Sequence, residues 1–187
     1  MMNLTPDSSD KYINSKQLKK DAQEKTPDEV YIVLITSFLA NMAYWQLLPF
    51  FPKFLREHDI DKEYLGYCMS VFALFFIFSS LFTGKCLLKY IERINGCFIG
   101  AIFVIINLLG LGLLENIDDK DTIIRLAFLF QIMGGIGNGI NTPSTVAVLS
   151  SYKDKRETYI GYFEVSAGIG GMVGPMLGSA LYYAGGY

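Results

Sequence analysis

The stretch LAFLFQIMGGIGNGINTPSTVAVLSSY, residues 126–152, runs for 27 residues without a charge, bounded by Arg125 and Lys153. About 20 apolar residues in a helix cross the hydrocarbon core of a bilayer, so this run is long enough to span one. Working outward from it, similar runs appear on both sides. Residues 30–52 lie uncharged between Glu29 and Lys53, residues 64–84 between Glu63 and Lys85, and residues 94–114 between Arg93 and Glu115. After Glu157 only Glu164 interrupts the sequence to Tyr187. Overall composition, 51% hydrophobic and 18% charged, is close to that of soluble chains; what decides the class is that the charges are segregated. The pattern predicts an all-α integral membrane protein with five transmembrane helices, at about 30–52, 64–84, 94–114, 124–150 and 158–183. A nucleic-acid partner is excluded, because it requires a basic surface and the net charge is -2.

Residues 1–29 are polar and lack the apolar core of a cleaved signal peptide, so they read as a cytosolic tail and the first span doubles as the targeting signal. Asn3-Leu4-Thr5 fits the glycosylation acceptor pattern, but a cytosolic tail does not meet that machinery. Lys and Arg are held back on the cytosolic side during insertion. With the amino terminus cytosolic, eleven of them fall on that side, in the tail and the second and fourth loops, against five (Lys53, Arg56, Lys62, Lys120, Arg125) on the other. The connections, about ten residues each, make consecutive helices antiparallel neighbours of one bundle. Cys68, Cys86 and Cys97 have no metal-ligand spacing and read as packing residues. His58, the sole histidine, lies in a loop. No nucleophile, acid-base or metal constellation can be assembled around it, so an enzyme, a cofactor and a metal are not expected.

Chemistry inside the spans is carried by glycines, amides and one acid. Gly170, Gly174 and Gly178 recur every four residues, which turns each only about 40° from the last. Glu164, Gly168, Gly171 and Pro175 occupy a second face. Small residues at this spacing let helix backbones approach closely in lipid, so the fifth helix is expected to touch neighbours on two sides, with a kink or hinge at Pro175. Glu164 is the one ionisable group well inside a span. It reads either as a structural acid paired with another helix or as a proton or cation site. In the fourth span Gln131, Asn138, Thr142 and Thr145 share a face. In the first, Asn41 sits at mid-depth, followed by Tyr44, Trp45 and Gln46, with Pro49 and Pro52 breaking the helix exit. These amides and hydroxyls either join helices or line an aqueous cavity and contact solute.

Gly161, Gly170, Gly174, Pro175 and Gly178, with Ser179 in place of a final glycine, resemble the fifth-helix antiporter signature of the major facilitator superfamily. Between the second and third spans, Gly84, Lys89 and Arg93 match a second motif of that family, whereas Leu88, Ile91 and Glu92 depart from it. The runs Leu47-Leu48-Pro49-Phe50-Phe51-Pro52-Lys53-Phe54 and Gly161-Tyr162-Phe163-Glu164-Val165-Ser166-Ala167-Gly168 are similar to those of the vesicular amine and polyamine transporter branch. The resemblance implies twelve helices in two six-helix halves built from inverted repeats, with solute bound between the halves near mid-membrane. It further implies that the first and fourth helices line the cavity, that the second and fifth rock against the opposite half, and that Gly84, Lys89 and Arg93 belong to a cytosolic gating loop.

Two readings follow. In the first, the chain is the amino-terminal part of a proton-coupled antiporter for a small organic solute, amine-like or polyamine-like. Asn41, Gln46, Gln131, Asn138 and Thr142 then contact solute, Glu164 is a coupling or structural acid, and Gly161, Gly170, Gly174, Pro175 and Gly178 form the moving seam. Its partners are the bilayer, the solute, protons, and a missing carboxyl-terminal portion or another membrane subunit. In the second, the chain transports nothing, as a truncated fragment or a small membrane interaction protein, since five helices are one short of a six-helix half. Which membrane holds it, plasma or vesicular, is left open by both.

Overall fold

The computed structural model describes residues 28–61 and 63–185; the expected tail lies outside them except for Asp28 and Glu29. Five long helices follow one another: α1 (Asp28–Glu57), α2 (Glu63–Tyr90), α3 (Arg93–Leu113), α4 (Lys120–Leu149) and α5 (Arg156–Gly185). Among the described residues there is no strand. Among the described residues four helices, α1, α2, α3 with its closing turn to Asn116, and α4, are long and apolar enough to cross a membrane. The glycine-diluted α5 lies parallel to α1 along its length. It runs from the cluster shared by Val30, Tyr159 and Phe163 to the contact of Gly174 with Gln46.

Several helices run past their expected ends. Pro49 and Pro52 do not break α1, which continues to Glu57. Beyond the prolines Phe51, Phe54 and Leu55 are buried, and a C-terminal cap closes the helix. Ile60 N–H donates to the Leu55 carbonyl (2.8 Å) and Asp59 N–H to that of Arg56 (3.1 Å), with Asp59 in the left-handed region at φ 50°. This is the Schellman arrangement, and Ile60 adds its usual apolar contact by joining the cluster of Phe54 and Leu55. Helix α2 also overshoots, through a π turn at Thr83–Leu87, so that Gly84 and Lys89 lie in helix and the expected loop shrinks to Ile91 and Glu92. At the start of α4, Asp119 caps the helix by accepting from Thr122 N–H (3.0 Å) and from the Thr122 hydroxyl. Those two bonds hold its carboxyl below the ordinary value.

Glycine sets which helices touch. A Cβ on Gly100 would stand 2.6 Å from the Asn141 backbone nitrogen, and one on Gly137 would stand 2.9 Å from the Gly100 carbonyl oxygen. Helices α3 and α4 therefore meet backbone to backbone, running antiparallel from Gly96 beside Ser144 to Gly110 beside Phe130. On another side of α4, Gly135 would meet the Phe72 carbonyl at 2.5 Å and Gly139 that of Phe76 at 2.7 Å, which fixes α2 parallel to α4. Helix α5 is fixed to α1 in the same way, Gly170 against the Phe38 carbonyl (2.9 Å) and Gly174 against that of Met42 (2.5 Å). In lipid, where burial of apolar area no longer drives association, such close approach is the main source of helix affinity.

Two bodies result, α2 with α3 and α4, and α1 with α5, and apolar clusters join them at both ends. Near the start of α1, Val30 packs with Leu149, Tyr159 and Phe163, and Val33 with Cys97 and Val148. At the far end Phe51, Phe54 and Leu55 pack with Leu111, Leu114 and Ile123.

Candidate solute site

Between the two end clusters the bodies part and leave an open-mouthed cavity of about 220 Å³. Helix α1 contributes Asn41, Tyr44 and Trp45, α2 contributes Phe72 and Phe76, and α4 contributes Asn138 and Thr142. None of the lining side chains is ionisable near neutral pH. Asn41 donates its amide N–H to the Ser37 carbonyl (2.9 Å) and Asn138 to that of Gly134 (3.1 Å), each to its own preceding turn. This leaves two side-chain carbonyl oxygens free to accept from a guest. Aromatic rings form the remainder of the wall, with Tyr44 stacked on Phe72 at 4.8 Å and Trp45 edge-on to Tyr44 at 5.8 Å.

Of the five residues expected to contact solute, the fold brings Asn41, Asn138 and Thr142 together in this cavity. Gln46 instead lies against α5, its backbone nitrogen 3.1 Å from a Cβ at Gly174. Gln131 is buried one and two turns from Ala127 and Ile123, which belong to the far-end cluster. The expected polar face of α4 is therefore divided among different neighbours. Its amino-terminal end is buried, its middle is open, and Thr145 is closed over by other helices. The Thr145 hydroxyl lies 3.4 Å from that of Ser37 on α1 and 3.6 Å from Cys97 Sγ on α3.

Residues of the expected seam separate as well. Gly170 and Gly174 are buried on α1, and Gly178 is buried one turn further on. Gly161 and Gly168 have no neighbour within 4 Å, and Glu164 beside them is exposed. Gly171 faces Trp45 at 3.3 Å, and α5 continues through a half-buried Pro175. Lys89 and Arg93 line a larger, wider depression of about 520 Å³ near the start of α1, together with Glu29 and Glu92, and Gly84 is not part of it. Arg93 donates to the Ala147 carbonyl at 3.3 Å, and Glu29 accepts from the Tyr152 hydroxyl at 3.0 Å. Burial first, and then Glu29, raise the Tyr152 hydroxyl above its ordinary pKa.

Sequence reasoning missed Phe72 and Phe76, because an apolar ring in a lipid span carries no mark of which way it faces. It also missed Asn107 and Asn141, which tie α3 to α4 through the Phe130 carbonyl (2.6 Å) and the Cys97 carbonyl (3.0 Å). A mid-span asparagine two or three residues from a glycine, Gly139 for Asn141 and Gly110 for Asn107, was the available signal for both. Among the described residues no three His, Cys, Asp or Glu side chains gather to hold a metal.

The profile of the Major Facilitator Superfamily matches residues 33–187. The MFS-type transporter SLC18B1 of Mus musculus is 29% identical over 90% of this chain, and that of Homo sapiens 28% identical over 85%. Multidrug resistance protein 2 of Bacillus subtilis is 23% identical over 86%. The chain spans little more than a third of the length of these relatives, 38% of the mouse protein. No solved structure matches it.

Proposed function

The chain belongs to the major facilitator superfamily, and on that premise we propose that it serves transmembrane transport of a small organic solute, an amine or polyamine, by proton-coupled antiport, as the amino-terminal part of a larger transporter. The observation that carries this reading is the cavity: two mid-span amides, a threonine and four aromatic rings from α1, α2 and α4 converge on one space. A helix bundle that only needed to pack would fill it. The amine class draws on the resemblance of residues 47–54 and 161–168 to the amine and polyamine branch, and the uncharged acceptors suit an ammonium guest.

In this proposal the amino terminus is cytosolic, as the eleven-to-five distribution of Lys and Arg favours. Lys89 and Arg93 then flank the short cytosolic turn between α2 and α3. Glu164, exposed on α5 away from the cavity, acts on the face that α5 turns to whatever covers it, as a coupling or structural acid. Uptake of radiolabelled spermidine into vesicles carrying the full-length gene product tests the reading. Uptake that rises several-fold with an imposed pH gradient is expected; uptake indifferent to the gradient defeats antiport.

A second reading rests on one observation. Gly161, Glu164 and Gly168 lie together and uncovered on α5, and a carboxylate is costly on a lipid-facing helix. The 187-residue chain would then be a membrane interaction protein that pairs through this face. Solute uptake by the 187-residue chain expressed alone defeats that alternative.

A further inference from the structure

Phe72 and Phe76 lie one turn apart on α2 with their rings 6.5 Å apart and nearly parallel, at 9°, and both line the cavity. From α1, Tyr44 stacks on Phe72 with an interplanar angle of 26°. Ring faces carry negative potential and attract organic cations, quaternary ammonium above all. The free amide oxygens of Asn41 and Asn138 add acceptors without adding charge. The donors in the lining, the Tyr44 and Thr142 hydroxyls and the Trp45 indole N–H, are uncharged, so an anion finds no ion pair there and a neutral guest of the same shape forgoes the attraction of the ring faces.

The rings are held in place from behind. Gly135 and Gly139 put the backbone of α4 against the Phe72 and Phe76 carbonyl oxygens, where an added Cβ would sit at 2.5 and 2.7 Å. Any side chain at these two positions pushes away the turn of α2 that carries both rings. Resting on the reading of this cavity as the solute site, we infer that Phe72 and Phe76 are its specificity-determining residues, selecting an organic ammonium ion through their ring faces, and that Gly135 and Gly139 are positioning residues for them.

Trp45 is the single tryptophan of the chain and lines the cavity, so its emission reports occupancy without any transport step. The test titrates the purified full-length gene product, carrying Trp45 as its only tryptophan, in dodecyl maltoside with choline and with its neutral isostere 3,3-dimethylbutan-1-ol. Choline is expected to bind about tenfold tighter than the alcohol. Phe72→Leu should remove most of that preference, Phe72→Tyr should keep it, and Phe76→Leu should reduce it. Gly135→Ala should weaken both ligands together. Where Phe72→Leu does not yield folded protein, Phe72→Met supplies similar volume without a ring face.

Equal affinity for the two compounds, no binding of choline, or a preference that survives loss of both rings overturns the inference. Because binding is read directly, a choline preference that persists while uptake ignores the pH gradient sinks antiport and leaves the inference standing.

Discussion

Gly137 and Asn138 are neighbours in α4 and face different worlds. Gly137 lies in the α3 contact, where a Cβ would stand 2.7 Å from that of Phe103 and 2.9 Å from the Gly100 carbonyl oxygen. Asn138, turned about 100° further round the helix, looks into a cavity of about 220 Å³. On the α3 side backbones touch, and asparagines bond across helices, Asn107 to the Phe130 carbonyl and Asn141 to that of Cys97. On the α1 side the asparagine bonds only within its own helix, and the Ser37–Thr145 contact across the gap is long, 3.4 Å. One helix thus supplies a closed interface and an open one. The residue type at mid-span does not tell them apart, because asparagine occurs in both; what does is whether a glycine brings a partner backbone within reach.

The largest expected effects lie on the closed side. Gly137→Leu should cost about 3 kcal/mol or more, since overpacking a filled site costs about 1–3 kcal/mol even for small additions and the atoms in the way include backbone. Thermal unfolding in detergent, followed by circular dichroism, checks this; a variant as stable as the parent would break the distinction between the two sides of α4. Next comes the α1–α5 contact. Gly174→Val should abolish uptake by the full-length transporter, because its Cβ would lie 2.5 Å from the Met42 carbonyl oxygen. Gly161→Val, with nothing within 4 Å, should change stability by less than about 0.5 kcal/mol. Equal uptake by these two variants would erase the difference between the covered and open faces of α5.

Much of this was legible in the sequence because two strong constraints act on it. Lipid excludes charge, so the uncharged runs mark the helices, and only glycine permits backbone contact, so Gly170 and Gly174 mark the seam with α1. What was not legible depends on the third dimension. Periodicity places Gln131, Asn138, Thr142 and Thr145 on one face, but a face about 20 Å long meets different neighbours along its length, and the fold covers both ends and leaves the middle open. Prolines misled at the end of α1, where packing of Phe51, Phe54 and Leu55 and the cap at Asp59 carry the helix past Pro49 and Pro52. The π turn in α2 has no sequence mark, and with it the expected loop from Gly84 to Arg93 became mostly helix.

The asparagines give a smaller and sharper comparison. Asn107→Leu removes a bond to the Phe130 carbonyl and should cost about 1 kcal/mol, in the range of interhelical hydrogen bonds in membranes, while leaving choline affinity unchanged. Asn138→Leu should do the reverse, with stability held and choline affinity reduced about fivefold, the weight of one hydrogen bond from choline's neutral hydroxyl, since the quaternary ammonium has no N–H to donate. Unfolding and Trp45 emission measured on the same two proteins decide it. If both variants lose stability and neither loses affinity, the open side of α4 is packing like the closed one.

The smallest effect tests whether the far end of α4 belongs to the closed side. Asp119 caps the helix one turn before Ile123, which anchors the end cluster. Its two bonds to Thr122 hold its carboxyl below the ordinary 3.8. In the unfolded chain that carboxyl takes up a proton at a pH where the folded one does not, so the cap stabilises the fold above the ordinary carboxylate range. This contribution fades as pH falls through the lower folded value. The thermal midpoint of Asp119→Ala should therefore sit slightly below that of the parent at pH 7, and the two should converge on acidification below pH about 4. Choline affinity should be the same in both, because the cap lies at the end of α4 and the cavity at its middle. A gap that widens in acid would mean that Asp119 is favoured in its protonated form, and that it is not the carboxylate that caps α4.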